Sequence, residues 1–361
     1  MKISFFDDEP EIYPLQYGGK ARTITNLANE FIKLAEVDDI TILSKSIKSD
    51  KEEFFVDGIK YVVLNDNNIM EKIAEEMNRT DILNIHCCSF TFPKISGKAK
   101  KFYFLHDILI ATAEKGSHLD KALGGDFDGI IAPSEFAKSI YEKNKKILHN
   151  KTNCYVIPRH INENLFYNIS KSNIMIDKER PKIIDKIVKD YKHILFFPSR
   201  PIEEKGGKYL IELSQILNKN ERRNYCIIGP FSSDDNLPEN FIDTGWIKSE
   251  ELKYYYSIAD VTLNFSKLPE SFSQVCLEST YCGTPVVAFA SGNIPYLSEK
   301  IENIIIADKN MDSICNGIKR ALILKKDENN SKKIIGKIKQ EFSVDKIIEK
   351  YMQLYKKNME E

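Results

Sequence analysis

No apolar run in this 361-residue sequence approaches the length that crosses a bilayer. The longest, such as Pro285–Ala290, fall far short of the roughly 18 residues a transmembrane helix needs. A secretory leader is not expected, because Asp7, Asp8 and Glu9 cut short the apolar stretch Ile3–Phe6. Excess charge is missing too: 52 Lys and Arg stand against 53 Asp and Glu, a net charge of −1. That balance disfavours a strongly basic nucleic-acid binder and an acidic disordered chain. Glycine (16) and proline (13) are modest in number, and there is no short repeat or low-complexity segment, so the composition is that of an ordinary globular protein. The cysteines (Cys87, Cys88, Cys154, Cys226, Cys276, Cys282 and Cys315) form no C-x-x-C pair. An odd number in a large chain reads as reduced, mostly buried thiols of a cytoplasmic protein. No His/Cys/Asp spacing resembles a zinc site.

What is present is an alternation of short apolar runs with amphipathic stretches. Strands are expected at Met1–Phe6, Asp39–Leu43, Lys60–Leu64, Ile82–His86, Lys101–Leu105, Gly129–Ala132 and Cys154–Ile157. The rhythm restarts at His193–Phe197, Asn224–Ile228, Asp260–Phe265 and Val286–Phe289. Helices fit between them: Ile24, Leu27, Ala28, Phe31 and Ile32 fall on one helical face. Gln274–Tyr281 reads as a helix stopped at Gly283, with Pro285 just beyond. Ser331–Asn358 reads as a long amphipathic tail. The pattern predicts an α/β protein of two doubly wound parallel-sheet domains. The polar, Lys-rich stretch Asn168–Lys192 marks the junction, with the domains at 1–175 and 176–340.

Candidate chemistry clusters after expected strands, where open α/β sheets bind ligands. Glu270 sits in the loop after Asp260–Phe265, and Glu278 eight residues on in the following helix. The helix start between them, Ser273–Gln274–Val275, offers free amides and a positive dipole end to a phosphate. Arg200 and Lys205 lie in the loop Ser199–Gly207, and two such cations could neutralise a diphosphate without metal. Gly18 and Gly19 form a glycine turn after the first strand, but not a G-x-G-x-x-G fingerprint. His106, with Asp107, closes one strand, and His86 closes the preceding one. Read alone, each of these is equally a surface acid, a charged turn or a structural histidine. The triplet Asp126-Phe127-Asp128 reads as a strand entry, not a metal site.

Taken in order, the segments resemble retaining GT-B-fold glycosyltransferases, specifically glycosyltransferase family 4 (glycosyl transferases group 1). Glu270 and Glu278 match the family's E-x7-E motif, and Arg200 and Lys205 its R-x4-K pair. Gly18-Gly19 matches its N-terminal glycine loop and His106-Asp107 its "HD" strand end. Gly245-Trp246-Ile247 is similar to its base-binding loop, and Cys282-Gly283-Thr284-Pro285-Val286-Val287 to its "CGTPVV". Ala132–Phe136 and Val156–Pro158 resemble its domain-linking segments.

The resemblance implies a GT-B architecture of two Rossmann-like domains facing a cleft. The first is the acceptor domain and the second the nucleotide-sugar donor domain, with a C-terminal helix at about 341–361 packing back on the first. It implies transfer of a sugar from a nucleoside-diphosphate sugar, uridine-linked, to an acceptor hydroxyl with retention of configuration. No metal and no further cofactor are implied. Arg200 and Lys205 would hold the diphosphate, Glu278 the ribose, Glu270 the sugar hydroxyls, and Trp246-Ile247 the base. Amides of Ser273, Gln274 and Val275 would touch sugar or phosphate. His106 would contact the sugar, and Gly18-Gly19 would approach phosphate and acceptor.

The setting implied is bacterial surface glycan, glycolipid or glycoconjugate synthesis, in the cytoplasm or at the inner membrane face. The acceptor would be a glycan, a lipid-linked molecule or another hydroxyl compound, and no nucleic acid. Two basic runs, Lys94, Lys98, Lys100 and Lys101, and Lys143, Lys145, Lys146 and Lys151, are candidates for an anionic acceptor or membrane contact. The sequence departs from the family at Ser271 and Ser273, serines where "EGFG" has glycines, and at Gly292-Asn293-Ile294-Pro295-Tyr296, where "GGIPE" is usual. A catalytically silent nucleotide-sugar-binding subunit, a phosphorylase and an epimerase stay open as alternatives.

Overall fold

The apolar runs become parallel strands because both faces of each are covered. In the computed structural model, residues 1–7, 19–45, 47, 49, 51–86, 97–106, 127–145, 151–219, 224–231 and 237–360 are described. The elements in order are β1 (Lys2–Asp7), α1 (Gly19–Phe31), β2 (Asp39–Ser44), β3 (Glu53–Val56), β4 (Ile59–Val63), α2 (Ile69–Arg79), β5 (Ile82–Ile85), β6 (Lys100–Phe104), β7 (Gly129–Ala132), α3 (Glu135–Lys145) and β8 (Cys154–Val156). Then come α4 (Lys171–Ile176), α5 (Ile183–Asp190), β9 (His193–Phe196), α6 (Lys208–Leu217), β10 (Tyr225–Gly229), β11 (Phe241–Asp243), α7 (Leu252–Ile258) and β12 (Val261–Asn264). The last are α8 (Gln274–Tyr281), β13 (Val286–Phe289), α9 (Ile294–Lys300), β14 (Ile304–Ala307), α10 (Met311–Lys325), α11 (Glu328–Phe342) and α12 (Val344–Glu360).

The chain divides into two units, Met1–His160 with Val344–Glu361, and Ile161–Ser343. The first holds an eight-stranded sheet in the order β3-β4-β2-β1-β5-β6-β7-β8. Its pairs are parallel except β3 on β4, which is antiparallel. The second holds a six-stranded sheet, β11-β10-β9-β12-β13-β14, parallel throughout. Alternate side chains enter opposite cores. Ile3 and Phe5 of β1 face one cluster and Phe6 the other. In β9, Ile194 and Phe196 face one side and Leu195 the other.

The chain leaves the first unit earlier than the boundary expected at residue 175. Ile161, Phe166 and Ile174 are buried in the second unit's core, and these apolar anchors outweigh the polar composition around them. The amphipathic tail expected over Ser331–Asn358 is divided into two helices, α11 and α12. Phe342 packs edge-on against Phe272 in the second unit, whereas Ile347 and Ile348 enter the first unit's core. Ser343 is extended between them (φ −62°, ψ 152°), so the helix breaks where the chain changes cores. Backbone Ile161 N donates to Phe342 O at 2.9 Å, which ties the second unit's two ends together.

Candidate functional site

In the second sheet β9 and β12 are neighbours, while the strands that follow each lie on opposite sides. This is the point where strand order reverses, and the loops leaving β9 and β12 meet above it. They are drawn together by close packing. Gly206 adopts φ +84°, and a Cβ there would lie 2.4 Å from Phe265 O. Lys267 N donates to Glu204 O at 2.8 Å. The result is that Lys205 Nζ donates to Glu270 Oε1 at 2.7 Å, both side chains being partly exposed. Arg200, in the same loop as Lys205, is exposed and makes no ion pair or hydrogen bond with the described residues. Its charge is therefore available to an anion.

A third segment fixes Glu270. Gly292 has φ +60°, and a Cβ would fall 2.2 Å from Glu270 O and 2.3 Å from Glu270 N. Backbone Asn293 N donates to Glu270 O at 2.8 Å. Of the two glycines in the family's "GGIPE", the one kept here is the one this contact requires.

Ser273 precedes α8 with φ +72° and ψ +74°, a left-handed conformation that serine rarely adopts. Its hydroxyl accepts from Asn264 Nδ2 at 3.0 Å and donates to Cys276 Sγ at 3.2 Å. These bonds point Ser273 into the protein and leave the first turn of α8 to its amides. One turn on, Glu278 is buried (2% exposed) and accepts from Tyr256 Oη at 3.2 Å. Trp246, in the loop after β11, is 55% exposed, and Ile247 beside it packs against the core. The structure thus gathers Lys205, Glu270 and the Ser273–Val275 helix start around one seam. Glu278 and Trp246 are placed in the same unit on separate elements.

Three buried thiols of the second unit are poor nucleophiles. Burial pushes Cys276 up to about 11 and Cys226 up to about 12, and Cys282 higher still.

The first unit has its own reversal of strand order, between β1 and β5. Asp7 ends β1, His86 follows β5 and His106 follows β6, so three polar side chains collect at carboxyl ends. Asp7 Oδ1 pairs with Lys20 Nζ at 2.6 Å, and both are buried. His86 Nδ1 lies 2.5 Å from His106 Nε2. Arg159 Nη2 donates to His106 Nδ1 at 3.0 Å. Burial is the main reason both histidines are held well below the usual imidazole range. Lys20 and Arg159 add repulsion at both, and at His106 the neighbouring His86 ring adds to it. His86 is fully buried and stacks on Phe104 at 4.0 Å between centroids.

Sequence reasoning did not single out Arg159 or the Asp7–Lys20 pair. The available signals were a charged residue closing a strand and a lysine in the glycine turn. Gly19 opens α1, whereas Gly18, Asp107, Asp126, Cys87, Cys88, Lys94 and Lys146 lie outside the described residues. Asp128 accepts from Lys101 N at 2.8 Å and pairs with Lys100 at 3.6 Å, a strand-entry role. Lys98 pairs with Asp81 at 3.4 Å, so part of the first basic run is committed within its own unit. Among the described residues no group of three His, Cys, Asp or Glu could hold a metal, and no helix is long and apolar enough to cross a membrane.

Comparison with known proteins adds to this geometry. Residues 179–342 match the family model described as glycosyl transferases group 1. No curated protein matches the chain in sequence. Among solved structures, sucrose-phosphate synthase from Thermosynechococcus elongatus is similar at TM-score 0.71 and 16% identity, covering 99% of this chain and 98% of that one. HepE from Anabaena, in complex with UDP-glucose, is similar at TM-score 0.72 and 16% identity, covering 99% and 100%. The E. coli trehalose-6-phosphate structure bound with UDP-2-fluoro glucose is similar at TM-score 0.70 and 12% identity, covering 98% and 99%. At such identities the likeness is one of fold, and the fold is GT-B.

Proposed function

Because residues 179–342 carry a glycosyl transferases group 1 domain on a GT-B frame, we propose that the protein transfers a sugar from a uridine-diphosphate sugar to an acceptor hydroxyl, with retention and without metal. The observation that carries the reading is the Lys205–Glu270 contact at the β9–β12 seam, beside exposed Arg200 and the start of α8. The UDP and UDP-sugar complexes of the structural relatives support a donor of this class.

In this reading Arg200 and Lys205 neutralise the donor diphosphate and stabilise the charge that develops as it leaves. Lys205 is held toward the sugar side by Glu270, whose carboxylate takes the sugar hydroxyls. The amides of Ser273, Gln274 and Val275 meet phosphate or sugar at the positive end of α8. Glu278 accepts from the ribose hydroxyls, and Trp246-Ile247 offers backbone to the base. A donor phosphate oxygen takes the acceptor proton as the new bond forms on the face the leaving group vacates, which gives retention. The first unit supplies acceptor recognition, the Gly18-Gly19 loop and His106.

The test is a panel of nucleoside-diphosphate sugars, without metal, read by thermal shift and by slow donor hydrolysis. At least one donor is expected to raise the melting temperature of wild type and not of Arg200→Ala. Loss of two charge-assisted bonds would weaken binding on the order of tenfold or more. If no donor binds, or the variant responds like wild type, the diphosphate assignment fails.

A further inference from the structure

The paired histidines His86 and His106 have only one arrangement of protons compatible with the partners described for them. A guanidinium can only donate, so Arg159 requires a lone pair on His106 Nδ1. His106 then carries its proton on Nε2, which faces His86 Nδ1 at 2.5 Å. His86 Nδ1 must in turn accept, which places the proton of His86 on Nε2. That Nε2 is buried and has no hydrogen-bond partner among the described residues. Protonating either ring would set two donors against each other, so both rings are neutral. An orphaned buried donor weakens a fold, which makes the chain of bonds poor value as a stabilising device.

We propose that Arg159 and His86 are positioning residues that lock His106 in one tautomer and one orientation at the carboxyl end of β6. Arg159 sets the direction of the chain and His86 receives the proton of His106. With both ring nitrogens engaged, the ring of His106 can then neither flip nor charge, and it meets substrate by its carbon edge and not by a ring nitrogen. This rests on the reading that His106 serves sugar transfer. The arrangement of protons does not depend on that reading.

Two measurements separate the claims. Ring nitrogen shifts of the six histidines, with 15N-histidine labelling and His86→Phe for assignment, report the tautomers directly. His86 and His106 are expected as neutral Nε2–H forms at pH 7. Arg159→Met should spread them over both tautomers, and Arg159→Lys should restore one. In donor hydrolysis, kcat should fall about tenfold in His86→Phe and Arg159→Met, with KM within about twofold, because orientation and not binding is lost. His86→Phe keeps a ring against Phe104 and removes the orphaned donor, so it should melt no lower than wild type. An Nδ1–H or imidazolium His106 in wild type, an unchanged kcat in both variants, or a clearly lower melting temperature for His86→Phe would each overturn the proposal. A wild type that binds no nucleotide sugar would instead sink the function reading, and the ring shifts alone would then decide the tautomer chain.

Discussion

Ser273 is where two residue-scale effects oppose each other. A non-glycine residue at φ +72° costs about 1 kcal/mol or more. The bonds from Asn264 and to Cys276 return roughly that amount. Ser273→Gly removes both the strain and the bonds, so it should be near neutral. Ser273→Ala keeps the strain and loses the same bonds, Asn264 giving up its serine partner in both variants. The alanine variant should therefore be less stable than the glycine variant by about 1 kcal/mol. Urea denaturation of the pair decides it, and an alanine variant as stable as glycine would show the backbone here to be unstrained. The sequence showed that two glycines of the motif had become serines. It could not show that only one of them sits at positive φ, because that depends on how β12 enters α8.

At the scale of the element, α8 carries the candidate site at its start and is clamped at its end. Lys325, the last residue of α10, donates from Nζ to Thr284 Oγ1 at 2.6 Å, Gly283 O at 3.3 Å and Ser257 O at 3.4 Å. A cation suits the carbonyl end of a helix, yet burial lowers this amine from 10.5 to about 8. Between those values the unfolded chain binds a proton that the folded chain does not, so stability rises with pH across that window. Below pH 8 the penalty is present in full. Against Lys325→Met as reference, wild type should gain about 1 kcal/mol per pH unit between pH 8.5 and 9.5. A difference between the two proteins that stays flat over this range would mean the amine is not buried as charge. The clamp was invisible in sequence, since α8 and α10 are separated by two strands and a helix. By contrast α8 itself was legible to the residue, with the Gly283 stop and Pro285 just beyond marking its end. The buried parallel strands were legible as apolar runs, but β3, β11 and β14 were not. β3 alternates exposure and β11 has three residues, while β14 is as apolar as the strands that were legible and lies at the sheet's edge beside β13.

The whole molecule is two cores on one chain, and the division is sharper than its composition suggests. The residues proposed to hold the donor, Arg200, Lys205, Trp246, Ile247, Glu270, Ser273, Gln274, Val275 and Glu278, all fall within Ile161–Ser343. The first unit, by contrast, is completed by α12 from the far end of the chain. Ile347, Ile348, Tyr351, Met352, Leu354 and Tyr355 are each at most 7% exposed, and Tyr355 Oη donates to Asn84 Oδ1 at 2.8 Å. At about 1.5–3 kcal/mol per buried side chain, an upper estimate, their removal costs on the order of 10 kcal/mol. That equals the entire stability of a typical domain. A chain ending at Ser343 should therefore lose the fold of its first 160 residues while Ile161–Ser343 stays folded. Hydrogen exchange would show β1, β2 and β5 unprotected and β9, β12 and β13 still slow. The same truncated chain should keep its donor-induced thermal shift and lose transfer. Were β1 and β5 to stay protected without α12, the first unit would close its core by itself. Were the donor shift to vanish while β9 and β12 stay protected, donor binding would need residues outside Ile161–Ser343.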